Sequence, residues 1–170
     1  MGKFDQAISN ALKQAANRKA KAQTKSKARE AKLRAWIEAE NAAAAKWFKE
    51  VVQPVVAEAN DDLKDHKLEI RWSSEPYVGF SLNHPSPSWK LVCVRTDQPQ
   101  DGPIGKSIRL IAKSGNVIAD DADGGEQRII ATIPLPGFRT WLMYRPQSEQ
   151  ARVEKLILDR LREIGAGQWA

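Results

Sequence analysis

The stretch Lys67-Leu68-Glu69-Ile70-Arg71-Trp72 decides the fold. Leu68, Ile70 and Trp72 alternate with Lys67, Glu69 and Arg71, the period-two pattern of a half-buried strand. Every apolar stripe before residue 66 repeats at helical spacing instead. The chain therefore switches there from a helical N-terminal part to a strand-rich part.

Working toward the C-terminus, further strand candidates are Tyr77–Leu82, Trp89–Arg95, Ser107–Lys113, Asn116–Asp120, Gln127–Ile133 and Phe138–Tyr144. Turn-forming residues separate them, including Asn83-His84-Pro85-Ser86-Pro87, Ser114-Gly115-Asn116, Asp120 to Gly125 and Pro134–Gly137. Such short connections favour an antiparallel meander over parallel strands with crossover helices. A last helix spans 148–164, with Ser148 as its cap, Val153, Leu156, Ile157, Leu161 and Ile164 as its apolar face, and Gly165 as its stop. The expected core holds Trp72, Phe80, Leu91, Val92, Val94, Leu110, Ile118, Ile130, Trp141 and Leu156. Of the six tryptophans, Trp36, Trp47, Trp72 and Trp141 read as core, whereas Trp89 and Trp169 read as candidates for exposure.

Working toward the N-terminus, Trp36, Ile37, Ala44, Trp47, Phe48, Val51 and Val52 share one helical face over 36–60. Pro54 cannot donate to the carbonyl four residues back, so a kink or break is expected near 50–54. The fold class is thus α+β: a long N-terminal helix, an antiparallel sheet or partly closed barrel of six to seven strands within 67–145, and a C-terminal helix. At 170 residues the chain fits one domain, 36–170, preceded by a basic arm, 1–35.

That arm holds the charge. The chain carries +6 overall, but residues 1–35 carry +8 and the remainder −2. Asymmetry of this kind points to a polyanion partner such as nucleic acid. Within 18–34, eight Lys/Arg face one acid, and Arg18, Lys21, Lys25, Arg29 and Lys32 fall in a sector of roughly 80°. The residues between them offer no base-reading signature, so contact with phosphates without sequence specificity is expected. Like charges at i,i+4 oppose the free helix, which predicts a helix firmed by neutralisation. The alternative is a solvated, helix-favouring extension.

Phe4, Ile8 and Leu12 form a narrow apolar stripe in the first turns. It predicts docking of a protein partner or of a second copy. Arg18 and Lys25 interrupt the seam too early for a long coiled coil. The stripe is too small for more than weak membrane association.

Other motifs fail on their own chemistry. In Asp120-Asp121-Ala122-Asp123-Gly124-Gly125-Glu126, aligning Gly124 with the glycine of a helix-loop-helix calcium site puts Ala119 and Ile130 at ligand positions, so an acidic hairpin is the better reading. Gly105-Lys106-Ser107 ends like a phosphate-binding loop but has Gln100 where its first glycine belongs, and strand follows instead of helix. His66 and His84, the two histidines, lack a second ligand at metal spacing. Ser86 and Ser88 near His84 lack a nucleophile-elbow pattern. Cys93, the one cysteine, sits in an apolar run and reads as a buried thiol, in keeping with a reducing cytoplasm. No apolar run reaches membrane-span length, and the first residues lack a signal-peptide core. The sequence thus implies no catalytic residue, no cofactor and no metal, and a binding protein is the expectation.

Overall fold

A computed structural model describes residues 3–78, 85–98, 100, 102–121, 127–133 and 146–165. The elements are α1 (Lys3–Trp47), a π-helical turn (Phe48–Val52), α2 (Gln53–Leu63), a 3₁₀ turn (Lys64–His66), β1 (Leu68–Ser74), β2 (Ser88–Arg95), β3 (Pro103–Lys113), β4 (Asn116–Asp121), β5 (Arg128–Thr132) and α3 (Pro146–Gly165). The chain divides into two compact units, Met1–Glu38 and Ala39–Ala170. The first is helical over its described length.

The second unit is α+β. Its sheet runs in the order β1-β2-β3-β4-β5, antiparallel at every step. The expectation of six to seven strands or a barrel is corrected: the described residues form five strands with β1 and β5 outermost. Of the candidate strand 77–82, Tyr77 makes a single bridge to Ser86 and residues 79–82 lie outside the described residues. The candidate 138–144 and the core candidates Phe80 and Trp141 also lie outside them, as does Trp169. β3 starts earlier than expected, at Pro103, because a bulge between the Leu91 and Cys93 pairings absorbs Gly105 at φ 80°. Gly105-Lys106-Ser107 is therefore strand.

Pro54 acts as its chemistry requires. It has no N–H for the Glu50 carbonyl, and the helix widens just before it: the Gln53 N–H bonds back to Phe48 O. The wider turn sets the phase so that Phe48, Val51, Val52, Val55 and Val56 are all buried. Helix continues past the expected end at residue 60, through Leu63 into the 3₁₀ turn, and Lys67 at φ 57° then turns the chain into β1.

Trp47, Phe48 and the valines pack with Ile70, Trp89, Leu91, Ile108, Leu110 and Ile130 from the sheet and Val153 and Ile157 from α3. Val94 and Ile111 are buried outside this cluster, while Val92 and Ile118 are half-buried. They occupy the alternate strand positions, which fall on the other face.

Two tryptophans trade places relative to expectation. Trp89 is buried and stacks on Phe48 at 4.6 Å, because β2 is an inner strand. Trp72 is 44% exposed, because β1 is outermost; its ring meets Phe48 edge-on at 5.0 Å. Ser148 is not the cap of α3, which begins two residues earlier at Pro146, and Gly165 is its last residue.

Among the described residues, two carboxylates are buried in this unit. Glu40 accepts the Gly115 N–H at 3.2 Å, and the Gly115 carbonyl accepts the Ile133 N–H at 2.7 Å. The Ser114-Gly115 hairpin turn, with both φ values positive, is thus held from two sides. Glu149 accepts the Trp47 indole N–H at 2.9 Å and the Thr132 N–H at 3.5 Å.

Candidate polyanion-binding surface

Alanine, lysine, arginine and glutamine dominate residues 13–35, and all favour helix. Inside a helix their spacing fixes where the charges go. Arg18, Lys21, Lys25, Arg29 and Lys32 are separated by three or four residues, so they stand on one stripe about 21 Å long. All five side chains are exposed. None makes an ion pair among the described residues. The one acid of the segment, Glu30, accepts the Ser26 hydroxyl at 3.2 Å. Thr24 turns its hydroxyl back onto the Ala20 carbonyl at 2.9 Å, which satisfies it inside the helix. The stripe is therefore a row of uncompensated, water-facing cations.

The apolar residues expected to dock a partner lie on the same helix. Phe4 is 85%, Ile8 59% and Leu12 66% exposed. At 100° per residue their stripe is centred roughly 100° round the helix from the basic one. The helix thus brings the five cations together and the three apolar residues together, on separate faces.

The second unit offers less chemistry. Cys93 is buried, and burial pushes its thiol up, away from the reactive thiolate. His66 is exposed, and His84 lies outside the described residues. Ser86 is buried with its hydroxyl unpartnered among the described residues, while Ser88 donates to the Glu75 carbonyl. No three His, Cys, Asp or Glu side chains gather into a metal-binding group among the described residues. A cavity of about 240 Å³ lies between α3 and strands β3 to β5. It mixes Arg128, Arg152 and Lys155 with Asp120 and Asp159, and holds no His or Cys. Arg152 is committed to the Ile130 carbonyl at 3.1 Å.

Sequence reasoning missed one charged juxtaposition. Lys90 and Arg109 stand directly opposite on β2 and β3. Like charges in register disfavour the pair, and only the strand register reveals it.

No known protein family matches the chain, and neither a curated protein nor a solved structure matches it. No described helix is long and apolar enough to cross a membrane.

Proposed function

We propose that this is a non-enzymatic binding protein whose basic N-terminal helix contacts nucleic acid, or another polyanion, through its phosphates and without sequence specificity. The observation that carries the reading is the stripe Arg18, Lys21, Lys25, Arg29 and Lys32: exposed, in phase and free of ion pairs among the described residues. Each phosphate contact releases condensed counterions, so affinity follows the number of cations engaged and the salt concentration. Base edges are not read, because the residues between the cations carry no base-reading signature. The setting we propose is the reducing cytoplasm, on the single buried thiol.

The test is fluorescence anisotropy of the full chain with labelled single- and double-stranded DNA and RNA, titrating salt from about 50 to 200 mM. Five contacts give a duplex slope near −4.5 in log–log form, a loss of roughly two to three orders of magnitude over that range. A variant with all five residues changed to Gln should lose this binding. Equal binding by that variant, or no binding by the parent at low salt, overturns the reading.

A second reading rests on the exposed stripe Phe4, Ile8 and Leu12: a partner-docking or self-association helix. It predicts concentration-dependent association in sedimentation that the triple change to Ser removes. A monomer at all concentrations counts against self-association.

A further inference from the structure

The cavity between α3 and strands β3 to β5 is lined by seven charged side chains, and the way they pair leaves positive charge over. Two of its three acids are held by arginines. Arg160 Nη1 lies 2.5 Å from Glu163, and Arg162, outside the lining, reaches Asp159 at 3.3 Å. The third, Asp120, accepts the Gln127 side-chain amide at 3.3 Å. Arg128, Arg152 and Lys155 make no ion pair among the described residues. Three cations therefore share the cavity with one carboxylate, Asp120, that no cation holds.

The backbone gathers these cations. Arg152 and Lys155 stand three residues apart on α3, so they share a face of it, and Arg128 comes from β5. The bond from Arg152 Nη1 to Ile130 O, 3.1 Å long, fixes that guanidinium and leaves its remaining N–H groups for a ligand. Ile108, Ala119, Ile130 and Leu156 form an apolar wall beside them. The volume of about 240 Å³ is that of about eight water molecules, room for a small anion and not for a chain. Like charges gathered this closely oppose one another, and an anion between them removes the repulsion.

We propose that this cavity binds a small phosphate, as the free ion or as a monoester whose carbon part lies on the apolar wall. Arg128, Arg152 and Lys155 hold its oxygens. A carboxylate brings one charge and two oxygens to three cations. A phosphate monoester brings close to two charges and three terminal oxygens, which matches three cations beside one carboxylate. The site is built wholly within the second unit and stands independently of the basic helix.

The test uses the full chain with Arg18, Lys21, Lys25, Arg29 and Lys32 all changed to Gln, so that the helix cannot hold the probe. Phenyl phosphate and inorganic phosphate are titrated by calorimetry at low salt. Both should bind. Tighter binding of phenyl phosphate assigns an ester, and equal affinity assigns the free ion; either sustains the site. Affinity should fall as pH drops through about 6, where phosphate takes up its second proton. Arg128 and Lys155 are exposed, so replacing them leaves the core intact. Arg128→Gln and Lys155→Gln should each weaken binding by about tenfold. No binding at about 10 mM probe, or unchanged affinity in both variants, overturns the proposal. So does benzoate binding as tightly as phenyl phosphate, because one charge then suffices. Calcium binding in place of phosphate also overturns it, since that gives the cavity to Asp120 and Asp159.

Discussion

The indole N–H of Trp47 donates to the Glu149 carboxylate at 2.9 Å, joining the end of α1 to the first turn of α3 across 102 positions of sequence. Both side chains are buried. The bond therefore fixes how the two helices meet, and it leaves a titratable group inside the core. Burial pushes Glu149 above its ordinary value near 4.5, against the opposing pull of the Trp47 and Thr132 N–H groups and the Arg152 charge.

That shift has a definite sign. From about pH 4.5 up to the raised folded value, the folded protein keeps a proton that the unfolded chain has released. Stability from this group is thus greatest below pH 4.5 and falls as pH rises through the folded value. Glu149→Gln cannot titrate. In urea melts between pH 4 and 7.5, wild type should lose stability relative to this variant as pH rises, then run parallel to it. A flat difference across the whole range would show that Glu149 is not desolvated as described.

Trp47→Phe keeps most of the buried ring but strips one acceptor of its donor. The cost should be about 1–3 kcal/mol, because a buried carboxylate oxygen loses its hydrogen bond. The variant should also widen the pH window above, since the lost N–H was holding the Glu149 carboxyl down. Chemical denaturation at two pH values checks both.

Much of this architecture is visible in residue spacing. The alternation at 67–72 and the helical stripe at 36–52 place β1 and the packing helix, and Pro54 marks where the helix must widen. Spacing cannot say which strand is outermost. That depends on order within the sheet, and it decides that Trp72 is half out in water while Trp89 is buried. The buried acids did carry a signal. Glu40 precedes Ala44, Trp47 and Val51 on one helical face, and Glu149 precedes Val153 and Ile157 on another. An acid in phase with an apolar stripe points inward, and its partners, Gly115 and Trp47, come from distant parts of the chain. The basic stripe was readable in full because helical phase alone determines it. The cavity beside α3 was not, since Arg128 of β5 and Lys155 of α3 come together only in the folded unit.

The Glu50 carbonyl, deprived of a donor by Pro54, accepts Gln150 Nε2 of α3 at 3.2 Å. Gln150→Ala should cost about 0.5–1.5 kcal/mol. In a Pro54→Ala background the helix regains an N–H for this carbonyl, so the same change should cost less. A double-mutant cycle in urea reads the coupling, and additivity would separate the two residues.

The Ser114-Gly115 turn needs positive φ at both positions, and Ser114 adopts 51° without being a residue that favours it. Asn tolerates that region better, so Ser114→Asn should stabilise the β3–β4 hairpin by a few tenths of a kcal/mol, up to about 1. Glu40→Ala acts on the same turn in the opposite direction. It leaves the Gly115 N–H without its acceptor and should cost about 1–3 kcal/mol. Thermal melts of the two variants should move apart in opposite senses.

Lys25 separates stability from binding on the basic helix. It stands four residues from both Lys21 and Arg29, so it contributes two like-charge pairs that oppose the helix. Lys25→Gln should raise helix stability by about 0.4–1 kcal/mol at low salt, with the gain fading as salt screens the repulsion. The same substitution removes one phosphate contact, so the log–log salt slope for duplex binding should fall by about 0.9. Circular dichroism and anisotropy on one preparation read both effects. A residue that merely solvates the helix would move the first and not the second. A gain in helicity together with a loss of salt slope is therefore the pattern expected of a cation kept at that position for contact with phosphate.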